Sequence, residues 1–233
     1  MHYGYEIAEA PASQEATGDD AENSPKKWGD LLVSYDGATI EYDEIGNPIA
    51  IRGWSMEWQH GRELASMSKD GITWNHTYNA DGLRTKRTNG TTTYTYIYVG
   101  GTLVRMTETV GSTTNRLFFS HSPEGLPLSV VYKGVEYYYV TNIQGDVIAL
   151  LDIEGNVVVE YTYDAWGNVL TTTGSGADTI GKVNPLRYRG YVYDSETGLY
   201  YLQRKTGDGS PSYYNFTGRV ERQGTVLRLD SPR

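Results

Sequence analysis

The sequence predicts an all-β fold built from successive antiparallel β-hairpins. Three observations support this prediction. Short runs of β-branched and aromatic residues alternate with turns, 27 of the 233 residues are glycine, and helical periodicity is nearly absent. Only residues 61–68 indicate a turn or two of helix. The 21 tyrosines against 3 phenylalanines suit sheets whose faces are only partly dry, because tyrosine combines apolar area with a polar tip.

The first 27 residues are predicted to form a disordered or linker segment. They are rich in Ala, Glu, Ser, Asp and Pro and almost lack large apolar side chains, so burial cannot offset the entropy of ordering them. The amino terminus has neither a basic start nor an apolar run, and it predicts no signal peptide. If the protein leaves the cell, we expect a partner or a longer parent chain to provide the address.

Five turns along the chain share one pattern, which is Asp or Asn, variable residues, Gly, and often a further Asn or Asp. The first side chain is predicted to cap the turn, and the glycine to adopt a left-handed conformation beside a bulge. The turns lie at residues 42–47, 78–82, 142–146, 152–156 and 163–168. In the two most complete units, the residues expected to form the turn are Tyr42, Asp43, Gly46, Asn47, Tyr163, Asp164, Gly167 and Asn168.

Between these turns the pattern is that of strands. Residues 94–98, YTYIY, alternate strictly, which is typical of a strand with two different faces. The basic cluster of Arg84, Lys86 and Arg87 indicates one exposed strand face. Residues 174–184 form a Gly-rich loop that interrupts the series.

Residues 188–203, YRGYVYDSETGLYYLQ, predict a tyrosine-rich hairpin. The runs 188–193 and 199–203 favour strands. Across residues 194–198, the Asp and Ser side chains are expected to bond backbone amides, and the glycine to take a positive φ. The residues that define this hairpin are Tyr188, Gly190, Tyr193, Asp194, Gly198, Tyr200 and Tyr201.

The composition argues against several classes of site. A net charge of −9 and a pI near 4.9 are unlike a nucleic-acid binder, which needs a basic face. The absence of cysteine excludes disulfides and thiolate chemistry. No turn gathers the carboxylates of a calcium loop, and the histidines share no metal-ligand spacing. These histidines are His2, His60, His76 and His121.

One further motif is a near match only. Residues 176–182 have the spacing of a phosphate-binding loop, but Val183 stands where Ser or Thr should bind magnesium. A strand rather than a helix is expected to follow. The sequence therefore predicts no cofactor, no metal and no catalytic motif of these kinds.

The turn units resemble the YD repeats of the Rhs family. Residues 137–151, 161–170 and 184–203 are similar to the Rhs repeat-associated core, and the likeness covers roughly residues 28–203. The resemblance implies hairpin after hairpin in a curved or spiral β-shell, which in the family encloses a variable C-terminal toxin and in animals forms the shell of teneurin receptors. Within the family, the sequence resembles Gram-positive members, including wall-associated polymorphic toxins. The resemblance therefore also implies a secreted or cell-envelope protein.

The sequence departs from the family after residue 203. Complete members continue into Asp-Pro motifs whose aspartates release the toxin by self-cleavage, but here Asn215-Phe216 stands where the first is expected. Asn supplies no carboxylate for acid–base catalysis, so no catalytic residue is carried over. Asp208 and Asp230 are the only nearby acidic candidates. Residues 204–233 are predicted to be a divergent tail of about 30 residues, too short for a toxin domain.

These observations favour a structural segment of an Rhs-type shell without enzymatic activity, from a truncated or partial member that lacks its toxin. The expected partners are the remainder of a shell or an enclosed toxin domain, with neither nucleic acid nor membrane insertion. One alternative is an adhesion module that binds cell-wall polysaccharide or a cell surface, because tyrosine-lined faces can stack on sugars. A second alternative is a residual aspartyl autoprotease.

Overall fold

The computed structural model describes residues 34–35, 38–205, 211–215, 220–223 and 226–229, with side chains at residue 34 and from 39 to 201. The chain divides into two units. The first comprises Met1–Trp74 with Arg219–Ser231 and Arg233, and the second comprises Asn75–Gly218 with Pro232. The predicted disordered segment 1–27 lies outside the described residues.

The first unit holds short antiparallel hairpins. Its strands are β1 (Ser34–Tyr35), β2 (Ala38–Thr39), β3 (Glu41–Tyr42), β4 (Pro48–Ile51), β5 (Trp54–Gln59), β6 (Glu63–Lys69), the first part of β7 (Ile72–Tyr78), β20 (Val220–Gln223) and β21 (Val226–Leu229). Its buried apolar side chains include Leu64, Met67 and Trp74. The expected helix at residues 61–68 is wrong, because β6 pairs with β5 along most of its length and buries Leu64 and Met67 against the sheet.

The second unit holds the longer strands. They are the rest of β7, β8 (Arg84–Thr88), β9 (Thr92–Val99), β10 (Thr102–Val110), β11 (Thr113–His121), β12 (Pro127–Tyr132), β13 (Val135–Thr141), β14 (Val147–Leu151), β15 (Val157–Tyr163), β16 (Val169–Thr173), β17 (Val192–Asp194), β18 (Leu199–Lys205) and β19 (Pro211–Asn215). The predicted alternation in residues 94–98 is confirmed, since Tyr94 and Tyr96 are buried while Thr95 and Ile97 are exposed.

The strands β3 to β16 follow one another in sequence order in a single open sheet of 14 antiparallel strands. The predicted all-β class with successive hairpins is therefore confirmed. Two kinds of turn recur in this order. Two-residue turns such as Lys133-Gly134, with φ of 51° and 80°, have the backbone twist that matches paired strands. Five-residue turns such as 164–168 come with a register shift in the adjoining strand, here between Thr162 and Tyr163.

A short irregular stretch separates β16 from β17. It contains helix α1 (Ile180–Val183) inside the predicted Gly-rich loop, and a 3-10 turn at Tyr188–Gly190. Among the described residues, no helix has the length and apolar character needed to cross a membrane. We refer to residues 180–201 as the docked segment, because several of its apolar side chains, among them Ile180 and Leu199, are buried within the second unit.

The first strand of the tyrosine-rich hairpin is shorter than predicted. Only Val192–Asp194 is strand, and it pairs with the start of β18. The preceding residues curl instead because Arg189 takes a left-handed φ of 53°, and its backbone N–H donates to Asp146 Oδ1 at 2.9 Å. The second strand continues past residue 203 to Lys205 and pairs with β19.

Candidate functional site

Strand β8 brings two arginines onto the buried face of the sheet. The register with β7 shifts at Thr85, since Tyr78 pairs with Arg84 and the next pair uses Lys86. A regular strand would place Arg84 and Arg87 on opposite faces, and the extra residue restores them to the same face. Their side chains are 0% and 2% exposed. The prediction of one exposed basic strand face is therefore wrong for both arginines and holds only for Lys86.

Arg84 forms a bidentate ion pair with Asp194 of the docked segment. Its Nη1 donates to Asp194 Oδ2 at 2.6 Å and its Nη2 to Oδ1 at 2.8 Å. Both side chains are almost fully buried. Burial by itself would raise the pKa of Asp194, but the charges of Arg84 and Arg87 outweigh it and hold that pKa below its ordinary value. The carboxylate therefore stays ionised inside the protein.

The role expected for Asp194 in its own turn is wrong. Its carboxylate leaves the turn and binds Arg84, while the backbone carbonyl of Asp194 accepts the N–H of Gly198 at 2.9 Å. The Thr197 hydroxyl, rather than the predicted Ser side chain, accepts a backbone N–H of the turn, that of Leu199 at 3.2 Å.

A second ion pair extends the cluster toward β10. Arg87 Nη2 donates to Glu196 Oε2 at 2.7 Å, and the other carboxylate oxygen of Glu196 contacts the Tyr94 hydroxyl. The same hydroxyl lies 2.8 Å from Glu108 Oε1. Asn115 Nδ2 donates to the second oxygen of Glu108 at 2.9 Å. Burial, followed by the charge of Glu196, raises the pKa of Tyr94, so its hydroxyl keeps its proton.

Tyrosine rings enclose the Arg84 guanidinium. Its central carbon lies 5.0 Å from the centre of the Tyr96 ring and 4.4 Å from that of Tyr201, distances typical of cation–π contact. The Tyr201 hydroxyl accepts the backbone N–H of Arg84 at 3.0 Å, and the Tyr98 hydroxyl donates to its carbonyl at 3.1 Å. The predicted hairpin residue Tyr201 therefore contacts both the guanidinium group and the backbone N–H of Arg84.

His76 lies beside the arginines, in register with Arg87 on the neighbouring strand. Only 7% of its surface is exposed, and neither ring nitrogen has a hydrogen-bond partner. Burial, reinforced by the positive charge of Arg84, lowers the pKa of His76 to about 3. The histidine is therefore neutral, and protonating it would add a third positive charge to a buried cluster.

A cavity of about 190 Å³ opens beside these ion pairs. Tyr94, Tyr96 and Tyr193 contribute aromatic side chains to its lining. Glu108 and Glu196 contribute carboxylates. The predicted hairpin residue Tyr193 thus faces this cavity, and the chemistry of the cavity is mixed aromatic and acidic.

A separate polar cluster holds the start of the docked segment. The Asn184 side chain is buried, and its Oδ1 accepts the Tyr139 hydroxyl at 2.7 Å. Arg187 Nε donates to the Asn184 carbonyl at 2.9 Å and its Nη2 to the Gly181 carbonyl at 2.5 Å. The Arg187 guanidinium carbon lies 3.9 Å from the centre of the Tyr161 ring. Polar contacts therefore anchor the docked segment at both ends.

The predicted turn residues occupy two turns of the same construction. In the first, Asp43 Oδ1 accepts the backbone N–H groups of Ile45 at 3.1 Å and Asn47 at 2.7 Å. The Asn47 side chain donates to the second oxygen of Asp43 at 2.7 Å. Gly46 has a φ of 81°. Beside this turn, burial raises the pKa of Tyr42 to about 12.

In the second turn, Asp164 Oδ1 accepts the backbone N–H groups of Trp166 at 2.8 Å and Asn168 at 2.9 Å. The Asn168 side chain donates to Asp164 Oδ2 at 2.6 Å. Gly167 has a φ of 86°. The Tyr163 hydroxyl donates to a carbonyl at the start of β14 at 2.6 Å. These contacts have the form that the sequence predicts for a capped turn.

The remaining hairpin tyrosines connect the docked segment to this second turn. The Tyr200 hydroxyl donates to the Gly167 carbonyl at 2.8 Å, and the Tyr188 hydroxyl donates to the Ala165 carbonyl at 3.3 Å. The Tyr193 and Tyr200 rings lie 4.9 Å apart. The two hairpin glycines, Gly190 and Gly198, have φ of 69° and 70°.

Sequence reasoning missed Arg84, Arg87, Asn184 and Arg187 as buried polar residues. Arg84 and Arg87 carried a usable signal, because a turn followed by a bulge shifts the facing of every residue in the next strand by one. Asn184 and Arg187 carried none, because the tyrosines that they contact, Tyr139 and Tyr161, lie on the distant strands β13 and β15.

Among the described residues, no group of three or more His, Asp or Glu side chains could hold a metal ion. Asn215 lies on β19, opposite Tyr201 on β18. Asp208 and Asp230, the acidic candidates for self-cleavage, lie outside the described residues.

The fold and the site together define a class of protein: a repeat-built antiparallel sheet onto which a tyrosine-rich hairpin is docked by buried arginine–carboxylate pairs. No protein-family profile matches the chain. Curated relatives do. The tRNA3(Ser)-specific nuclease WapA of Bacillus spizizenii and the tRNA nuclease WapA of Bacillus subtilis are each 34% identical over 203 residues, which is 85% of this chain. The chain spans only 8% of the length of either relative.

Solved structures also match most of the chain. The Tc holotoxin pore of Photorhabdus luminescens superimposes with a TM-score of 0.56 at 19% identity, over 74% of this chain and 10% of the other. The TcdB2–TccC3 complex gives a TM-score of 0.55 at 20% identity, over 69% of this chain and 9% of the other. The relatives and these structures confirm the resemblance seen in the sequence: the chain carries an Rhs-type core region.

Proposed function

We propose that this chain is a structural segment of an Rhs-type β-shell and has no catalytic role of its own. The observation that supports this proposal is the open sheet. Within the described part of the chain, β3 and β16 stand at the two ends of the sheet order and each has a neighbour on one side only. Such strands can pair with further strands of a longer repeat array, as solenoid-like folds require.

The proposed partners are the rest of a shell and an enclosed toxin domain, with no toxin domain within these 233 residues. The relatives are named as tRNA nucleases, but the matched 203 residues are 8% of their length, so we place nuclease activity outside the matched region. The buried arginines support a structural role, because their charges are matched by Asp194 and Glu196. We also propose a secreted or cell-envelope location, as the family resemblance implies.

A chimera tests the shell role. The homologous segment of Bacillus subtilis WapA is replaced by residues 28–203 of this chain, and limited proteolysis compares the chimera with the parent. We expect both to yield the same protease-resistant body. The matched control carries Asp194→Asn in the chimera and is expected to be digested faster. A chimera that is digested as rapidly as this control, although the isolated chain is folded by circular dichroism, would contradict the proposal.

Two assays on the isolated chain test the absence of catalysis. We expect intact tRNA after prolonged incubation, as judged by gel electrophoresis. We also expect an unchanged mass of the chain itself by mass spectrometry. A shortened chain whose cleavage disappears in an Asp208→Ala or Asp230→Ala variant would establish the autoprotease alternative instead.

A further inference from the structure

The cavity beside the ion pairs has the walls of a cation-binding site. It lies between the sheet residues of β8 to β10 and the docked segment, and its volume is about 190 Å³. Tyr94, Tyr96 and Tyr193 line it with aromatic side chains, and Met106 adds a polarisable thioether. Aromatic faces attract ammonium and guanidinium groups through the ring quadrupole. The walls therefore favour a cation over an anion of the same size.

On the acidic side of the cavity, two carboxylate oxygens share one hydroxyl group. Glu108 Oε1 and Glu196 Oε1 both contact the Tyr94 hydroxyl oxygen. A phenol hydroxyl has one hydrogen and can donate it to one of them at a time. The other carboxylate oxygen then faces the phenol oxygen with no hydrogen between them. A further donor carrying positive charge would remove this repulsion.

The basic groups that line the cavity do not change this conclusion. Arg87 directs its guanidinium to Glu196 and Asp194, so its charge is already matched. Lys182 also lines the cavity and its side chain is largely exposed. We expect its ammonium group to compete with a ligand for the same acidic oxygens. Ser195, which is also exposed, lies where the cavity meets solvent.

We infer that this cavity binds a primary ammonium or guanidinium group, of the kind carried by a lysine or arginine side chain of another polypeptide segment. Glu108 and the Glu196 oxygen that does not bind Arg87 accept its hydrogen bonds, and the tyrosine rings contact its alkyl stem and charge. The inference goes beyond the shell role and does not depend on it, since the site lies entirely within the second unit.

The methyl group of Met106 provides a direct probe, because it lines the cavity. The full chain is labelled with 13C at its methionine methyl groups and titrated with n-butylammonium chloride. n-Butanol, which has the same length and no charge, is titrated in parallel. We expect a saturable shift of the Met106 signal with butylammonium, at a concentration at least about tenfold lower than any shift with butanol. This comparison needs no variant.

Three variants locate the binding. Glu108→Gln is expected to weaken butylammonium binding about tenfold, because one charged acceptor becomes neutral. Glu160→Gln, an exposed glutamate elsewhere on the sheet, is the matched control and is expected to bind as the wild type does. Lys182→Ala is expected to bind more tightly, because the internal competitor is gone. The absence of a saturable Met106 shift in both the wild type and Lys182→Ala would overturn the inference, and so would equal affinities for butylammonium and butanol.

Discussion

Asp164 and Asp194 begin two turns of similar sequence and use their carboxylates in opposite ways. In both turns the aspartate carbonyl accepts the N–H of the closing glycine, at 3.1 Å from Gly167 and 2.9 Å from Gly198. The Asp164 carboxylate caps its own turn, whereas the Asp194 carboxylate pairs with Arg84, which is 110 residues away in the chain. Turn chemistry therefore fixes the backbone, and the surroundings of the turn decide what the side chain does.

The largest difference between the two aspartates is expected on neutralisation. Asp194→Asn leaves the Arg84 guanidinium buried without a full counter-charge and is expected to cost about 3–5 kcal/mol of unfolding free energy. Asp164→Asn keeps an acceptor oxygen for its turn and is expected to cost less than about 1 kcal/mol. Urea unfolding followed by circular dichroism measures both values.

A double variant separates charge from packing. Replacing both partners, as in Arg84→Met with Asp194→Leu, is expected to recover much of the loss, because a buried ion pair can often be exchanged for apolar contacts. Equal losses for the two single aspartate variants would show that Asp194 is no more than a turn residue.

The pH dependence of stability should also distinguish the buried ion pairs around Asp194 from the locally capped turn of Asp164. The group responsible is His76, which lies beside the ion pairs. The pKa of His76 is about 3 in the folded protein, against an ordinary value of 6.5. Between these values the unfolded chain binds one proton more, so the unfolding free energy falls as the pH is lowered, by at most about 1.4 kcal/mol per pH unit. Asp194 adds a loss below its ordinary pKa of 3.8, because its folded pKa is depressed.

Replacing His76 by leucine should flatten the decline between about pH 6 and pH 4, while the loss from Asp194 at lower pH remains. Urea unfolding at four pH values measures the slope. His121→Leu is the matched control. Burial also lowers the pKa of His121, but that side chain is only half-buried, so its removal should change the slope less. An unchanged slope in His76→Leu would mean that another group controls the acid response.

These expectations show which parts of the molecule a sequence can predict. The capped turns at Asp43 and Asp164 were predictable, because their partners lie within four residues and the left-handed glycine is part of the same pattern. The alternation of Tyr94 and Tyr96 was predictable for the same reason, since period two is a local property.

The contacts of the docked segment could not be predicted in this way. Arg84 on β8 and Asp194 on β17 are separated by the eight strands β9 to β16, and no local pattern near either residue indicates the other as its partner. The left-handed conformation of Arg189 could not be predicted for the same reason. It accompanies a hydrogen bond to Asp146, which lies in a turn of another hairpin. Where the sequence prediction was wrong, contacts with residues distant in the chain had overridden the local preference.

Two glycines with the same backbone φ angle provide the next test. Gly155 and Gly167 both have a φ of 86° in turns of the same pattern. A Cβ on Gly155 would meet no atom within 4 Å, whereas a Cβ on Gly167 would lie 2.6 Å from ring atoms of Tyr188. Gly155→Ala is expected to cost about 1–2 kcal/mol from backbone strain alone. Gly167→Ala is expected to cost about 1–3 kcal/mol more, because it displaces the docked segment. Urea unfolding gives the difference, and equal costs would mean that Tyr188 moves freely.

The smallest effects are expected from the caps, and they should follow the number of hydrogen bonds that each cap makes. Asp164 accepts two backbone N–H groups and the Asn168 amide, while Ser122 accepts one backbone N–H at 3.3 Å in a turn of the same length. Asp164→Ala is expected to cost about 1–2 kcal/mol and Ser122→Ala about 0.5 kcal/mol. Hydrogen exchange of the Asn168 and Leu126 amides measures each turn directly, and faster exchange should be confined to the altered turn. If Asp164→Ala also accelerated exchange in β17 and β18, the cap would be supporting the docked segment through Tyr188 and Tyr200, and the local and long-range regions would be one cooperative unit.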